Sequence, residues 1–240
     1  MGADVVILDT EPDQHGMTMR RGPRGRVFIA VARTRHPMRQ RSTLAHELAH
    51  VVFADWSAAP IVDSASPTEI RANVFARHLL IPPAGLADLI DGRAVDLAVL
   101  SKVVQWFQVS PKIAAIALEQ SGHIDPTTKT RFMSETAPRL ATRFGWSDQY
   151  QAMQRESDQR RAPQRLLARA IAGWMRNTVS IQTIATLRGL DVASVERELT
   201  AAGLTPRTLV PEWSDPDDLP DADLDLHELE DADLGDGGEV

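Results

Sequence analysis

From about residue 39 to residue 204 the apolar positions follow a helical rhythm, and before that they come in short bursts. M-T-M-R (17–20) and V-F-I-A-V (27–31) read as short strands. The Gly and Pro of R-G-P-R-G-R between them form turns, so a β-hairpin is expected. From about Arg39 to Phe53, Leu44, Leu48 and Val51 recur at i, i+4 and i+7, the pattern of an amphipathic helix with one face in a core. In S-P-T-E-I-R-A-N-V-F-A-R-H-L-L-I-P-P, Ser66 stands at a cap, Pro67 at the first helical position and Pro82 beyond the last turn. A helix over about Pro67 to Leu80 follows. Shorter helices are expected at 83–90, at 94–107 and, behind Ser110-Pro111, at 110–121. Turn formers gather in S-G-H-I-D-P-T-T-K-T-R (121–131), where a domain boundary is expected. Helices are then expected at 135–144, 147–159 and 162–177, and within 180–204, where G-L-D breaks the pattern. No internal repeat is evident.

Composition narrows the class. With 240 residues, 43% of them hydrophobic, the chain can bury a core of one large or two small domains. No run of 18 apolar residues offers a membrane span and no secretory signal pattern is present, so a cytoplasmic protein without membrane contact is expected. There is no cysteine, which leaves His, Asp and Glu to hold any metal. Charge is divided unevenly. Residues 211–240 contain 13 Asp and Glu and no Lys or Arg, so the first 210 keep 26 basic against 20 acidic side chains, a net of +6. A mildly basic body with an acidic, disordered tail is expected, and an intramolecular contact between the two would follow from their charges.

The chemistry concentrates in R-S-T-L-A-H-E-L-A-H-V-V-F (41–53). Four residues advance a helix by little more than one turn, so His46 and His50 project from one face and can share an ion, with Glu47 beside them. Zinc accepts two imidazoles, a third ligand and a water, and Glu47 is placed to take the water's proton and pass it to a leaving amine. Glu69, 19 residues after His50, offers the third ligand, and Asn73, one turn on, faces the same way and can accept the ring N–H of a metal-bound histidine. Asp55 and Asp63 compete for the third position. Ser66-x-x-Glu69 also fits a capping box, in which Glu69 would only satisfy a backbone N–H.

Three segments together, H-E-L-A-H at 46–50, E-I-R-A-N-V-F-A-R-H-L-L-I-P-P at 69–83 and L-S-K-V-V-Q-W-F-Q-V-S-P-K-I-A-A-I-A-L at 100–118, resemble the ImmA/IrrE family of bacterial metallopeptidases, as does the hairpin before them. The resemblance covers roughly residues 15–120. It implies an endopeptidase with one zinc ion per chain that cleaves a helix-turn-helix repressor and so releases silenced genes of mobile elements, phages or stress responses. It further implies His46, His50 and Glu69 as metal ligands and Glu47 as the catalytic base. Many relatives carry a DNA-binding domain before the peptidase, whereas here helices follow it.

Other features carry less. His78 stands nine residues after Glu69, half a turn out of phase with it, and reads as structural. His15, His36, His123 and His227 have no spacing argument. Residues 14–46 hold eight arginines and no acid, which reads as a solvated surface, and the strand at 27–31 is expected to be exposed and able to take up a peptide as an added strand. The helix-turn-helix pattern at 180–204 offers Glu196, Arg197 and Glu198 on its second helix, which favours contact with protein over contact with DNA. The whole reads as an α+β protein: a small N-terminal hairpin or sheet packed on a zincin-like helical peptidase domain at 1–125, an all-α module at 126–206 and an acidic tail at 207–240. A metal-containing anti-repressor that does not cleave, and a DNA-binding regulator, are the competing readings.

Overall fold

Three strands begin the chain in a computed structural model that describes residues 2–10, 16–20, 22, 25–56 and 65–208. Strand β1 (Ala3–Leu8) runs parallel to β3 (Val27–Ala32), and β2 (Met17–Arg20) runs antiparallel to it, in the order β1-β3-β2. The expected hairpin is there, with Met17 opposite Ala30. Strand β1 was not expected, because the polar Asp4 interrupts its apolar residues. That carboxylate is 5% exposed, and its ion-pair partner is Arg26 at 3.7 Å. The position of β3 corrects another expectation. It is the central strand, not an exposed one, and Ile29, Ala30 and Val31 are buried in succession. The outer edge of β1 is met by Arg161, which exchanges two backbone hydrogen bonds of 3.0 and 3.1 Å with Ile7. Among the described residues, β2 has no neighbour on its outer side.

Helix α1 (Pro37–Phe53) begins with Pro at its first position and lies across the sheet. Val51 packs with Ile7, Ile29 and Val31, and Leu44 and Leu48 lie against them, so the apolar stripe of the sequence is the face that meets the strands. Val51 is buried and the two leucines half-buried, and full burial of a side chain of this size stabilises a fold by about 1.5–3 kcal/mol. Helix α2 (Pro67–Leu80) packs along α1. The residues it buries are Ala72 and Ala76, while α1 buries Ala45 and Ala49, and small side chains at such positions let helix backbones approach closely.

Helices α3 (Pro83–Ile90), α4 (Leu97–Phe107) and α5 (Pro111–Gln120) follow, near the expected bounds because Asp96 and Ser110 cap the last two. The turn-rich segment at 121–131 contains a helix that was not expected, α6 (Pro126–Met133). Asp125 accepts the N–H of Thr128 and Pro126 occupies the first position, so residues that read as turn formers start a helix instead. Phe132 of α6 is fully buried in one core with Leu86, Leu100, Val103 and Leu118. The same core takes in Leu140 of α7 (Ala137–Arg143) and Tyr150 of α8 (Ser147–Ser157), and Nε1 of Trp146 donates to Ser101 at 2.9 Å inside it. From α8, Ser157 donates to Thr34 O at 2.7 Å, and Gln40 donates to Ala32 O and Ser157 O, both at 2.9 Å, which ties the helices to the end of β3.

Helices α9 (Gln164–Met175), α10 (Ile181–Arg188) and α11 (Val192–Ala201) share a smaller core around Ile184, Ala185, Val195 and Leu199. Gly189 takes a left-handed conformation, φ 66°, to end α10. The architecture is thus α+β, a three-stranded sheet followed by 11 helices among the described residues. The described residues up to Pro206 form one compact unit. His15, Arg21, Arg24, Asp63, His227 and the acidic tail from residue 209 lie outside the described residues. No described helix is long and apolar enough to cross a membrane.

Candidate metal centre

Two turns of α1 and the first turn of α2 bring His46, His50 and Glu69 together. One donor atom from each lies within 4.8 Å of the others, a group that could hold a metal ion. Nε2 of His46 stands 3.2 Å from Nε2 of His50 and 2.9 Å from Oε2 of Glu69, while Nε2 of His50 is 3.4 Å from Oε1 of Glu69. The imidazole rings meet edge to face with centroids 4.9 Å apart.

The outer nitrogen of each ring explains why the inner ones converge. The Nδ1–H of His46 donates to Oδ1 of Asn73 at 3.0 Å, and the Nδ1–H of His50 donates to Oδ2 of Asp55 at 3.3 Å. A neutral imidazole has one proton, so both Nε2 atoms are then bare and aim their lone pairs at each other and at a carboxylate. Three acceptors facing one another repel unless a cation lies among them. The observed separations also suit tetrahedral coordination: bonds of about 2.1 Å put ligand atoms about 3.4 Å apart. The donor set and its spacing therefore fit a divalent metal.

Local structure puts each supporting group in place. Ala54 caps α1 in the left-handed conformation, φ 56° and ψ 39°, and turns the chain back so that the Asp55 N–H donates to His50 O at 2.9 Å. This brings the Asp55 side chain to the outer nitrogen of His50, away from the group formed by the two Nε2 atoms and Glu69. Asp55 is held there by Arg71 of α2, whose Nη2 lies 2.5 Å from Oδ1, and Arg71 also lies over the ring of Phe53 at 4.5 Å. At the start of α2, Ser66 accepts the Glu69 N–H at 3.3 Å, so the cap fixes the backbone of Glu69 while its side chain faces the histidines.

Glu47 lies on the same helix, 6% exposed, and is not one of the three converging groups. Its Oε2 accepts the hydroxyl of Thr18 at 2.7 Å. His78 points elsewhere, with Nδ1 2.8 Å from Val74 O on its own helix. Sequence reasoning considered Asp55 only as a ligand and did not single out Thr18, Gly16 or Arg71. The i+5 spacing of Asp55 behind a helix end was the one available signal for its contact with His50. Thr18 is 29 residues away from Glu47 and gave none.

The family model Peptidase_M78, described as an IrrE N-terminal-like domain, matches residues 1–119. No curated protein and no solved structure matches the chain.

Proposed function

We propose, from the premise that the chain belongs through residues 1–119 to the Peptidase_M78 family, that it is a zinc-dependent endopeptidase that cleaves a helix-turn-helix repressor, or a similar regulatory protein. Cleavage would relieve repression in a mobile-element, phage or stress-response circuit of the cytoplasm. A peptidase family implies a protein substrate. The observation that carries the reading is the convergence of two imidazole nitrogens and one carboxylate, with each ring held from behind. Two imidazoles and one carboxylate at these separations suit zinc, and His46, His50 and Glu69 would hold it.

Zinc in such a site supplies a Lewis acid that polarises a peptide carbonyl and makes a water acidic near neutral pH. The chain supplies the proton handling. Glu47, adjacent in sequence to His46 and held by Thr18, takes the proton of the attacking water and returns it to the leaving amine. Asn73 and Asp55 hold the two rings so that the ligand atoms keep their direction. Strand β2, with its outer edge open among the described residues, suits the docking of an extended substrate segment by strand addition.

The helices at 126–206 serve in this reading as the module that contacts the substrate protein. Helix α11 presents Glu196, Arg197 and Glu198, and Arg188 is paired with Glu198 at 2.7 Å. A DNA-reading helix would carry unpaired basic or amide side chains there.

The test is incubation of the protein with the repressor encoded nearest to its gene, with and without a chelator, alongside Glu47→Gln. That variant is expected to keep one zinc ion per chain and its fold while cleavage falls by roughly 10²-fold or more. Unchanged de-repression in cells carrying Glu47→Gln would instead favour a metal-containing anti-repressor that acts by binding.

A further inference from the structure

The segment that enters β2 holds Glu47 from two sides. Thr18 Oγ1 donates to Oε2 of Glu47 at 2.7 Å and lies 3.1 Å from the backbone O of the same residue. A hydroxyl has one proton, and the shorter contact, to the side-chain oxygen, is the stronger of the two. Two residues earlier, Gly16 abuts the other side of the carboxylate. A Cβ at position 16 would stand 2.5 Å from Cγ and 2.8 Å from Oε1 of Glu47, and 2.8 Å from Cγ2 of Thr43, closer than side chains pack. The φ of Gly16 is not in the left-handed region, so the nearest conflict for an alanine there is with these side chains and not with its own backbone conformation.

We propose that Thr18 and Gly16 are positioning residues for Glu47, an inference that rests on the reading of Glu47 as the general base. A free glutamate side chain samples several rotamers about three torsions. The Thr18 hydroxyl selects the one that places Oε2 under β2, and Gly16 leaves the space that this rotamer needs. A reacting group displaced by about 1 Å can cost 10²-fold in rate, so a contact that fixes the base contributes to turnover without touching the substrate. The consequence is architectural. The strand whose open edge suits the substrate is the strand that aims the base, so substrate docking and base geometry depend on one piece of backbone.

The experiment compares Thr18→Val, Thr18→Ser and Gly16→Ala, each alone and together with Glu47→Gln, on the same repressor substrate. Thr18→Val keeps the side-chain shape without the donor. It is expected to lower kcat about 10-fold or more while KM stays within about 2-fold and zinc content is unchanged. Thr18→Ser should restore most of the rate, and Gly16→Ala should lower kcat without changing zinc content. In the Glu47→Gln background, Thr18→Val should add no further loss. A readout independent of turnover is melting of the chelator-stripped protein, where Thr18→Val and Glu47→Ala should be non-additive because they remove the same contact. Wild-type kcat in both Thr18→Val and Gly16→Ala, with Glu47→Gln inactive, would overturn the positioning inference alone. Wild-type kcat in Glu47→Gln would overturn the reading of the base itself. Additive melting effects would show that Thr18 and Glu47 act separately and would also overturn the inference.

Discussion

Oδ1 of Asn73 accepts the Nδ1–H of His46 across 3.0 Å, and this contact leaves Nε2 as the ring atom that faces Glu69. The contact spans two helices, since His46 is on α1 and Asn73 on α2. Loss of a partner of this kind commonly weakens metal binding by 10- to 100-fold. Asn73→Ala is therefore expected to keep one metal site per chain with affinity reduced by about that factor, measured by competition with a chromophoric chelator. Unchanged affinity would mean that packing alone orients the ring.

Asp55 has the corresponding place behind His50, at 3.3 Å, and is itself held by Arg71. Asp55→Ala should likewise weaken binding by about 10- to 100-fold yet leave the stoichiometry at one metal ion per chain. Arg71→Ala should have a smaller effect in the same direction. Loss of the metal altogether from Asp55→Ala would make that carboxylate a ligand.

Phe132 lies beyond the residues that the family model matches and is fully buried with Leu100 and Leu118. A cavity in its place should cost about 3–5 kcal/mol. Phe132→Ala is expected to lower the denaturation midpoint of the peptidase half along with that of the helices after it, followed by tryptophan fluorescence and by loss of metal at the same denaturant concentration. Unfolding of the later helices while the metal site persists would mean that the site does not depend on this core.

Asp191 caps α11, and its carboxyl is held below its usual value by the side chain and then the backbone N–H of Ser194. A group whose pKa is lower in the folded state contributes stability above its unfolded value, and that contribution is lost as the pH falls through the folded value. Asp191→Ala should therefore melt earlier than the parent protein near neutral pH, with the difference shrinking as the pH drops below the carboxylate range. A difference that stays constant down to roughly pH 2 would mean that the cap does not depend on charge.

Capped helices were the legible part of the fold. Ser66, Pro67 and Pro82 bracket α2, and the i, i+4, i+7 stripe of Leu44, Leu48 and Val51 gives both α1 and the face it buries. What escaped was set by contacts distant in sequence. Strand β1 is stabilised by pairing with β3, some 24 residues later, and its Asp4 breaks the apolar pattern that would have marked it. In α6 it is Asp125 and Pro126, which read as turn formers, that cap and start the helix. Helical spacing could bring His46, His50, Glu69 and Asn73 to mind as one constellation, because each pair lies within a helix or at one step between two. The i+5 spacing of Asp55 was a weak local signal for its return to His50 behind Ala54, and nothing local told that β2 would close over Glu47.

The zinc content of Glu69→Ala tests the account most directly. The purified protein should contain one zinc ion per chain, and Glu69→Ala should lose most of it while keeping its helical content, because two imidazoles without the carboxylate lack the third donor of the site. Full zinc in Glu69→Ala would contradict the account: the residue would then only start α2 behind Ser66, and the convergence of its carboxylate on the two histidines would have no part in binding metal.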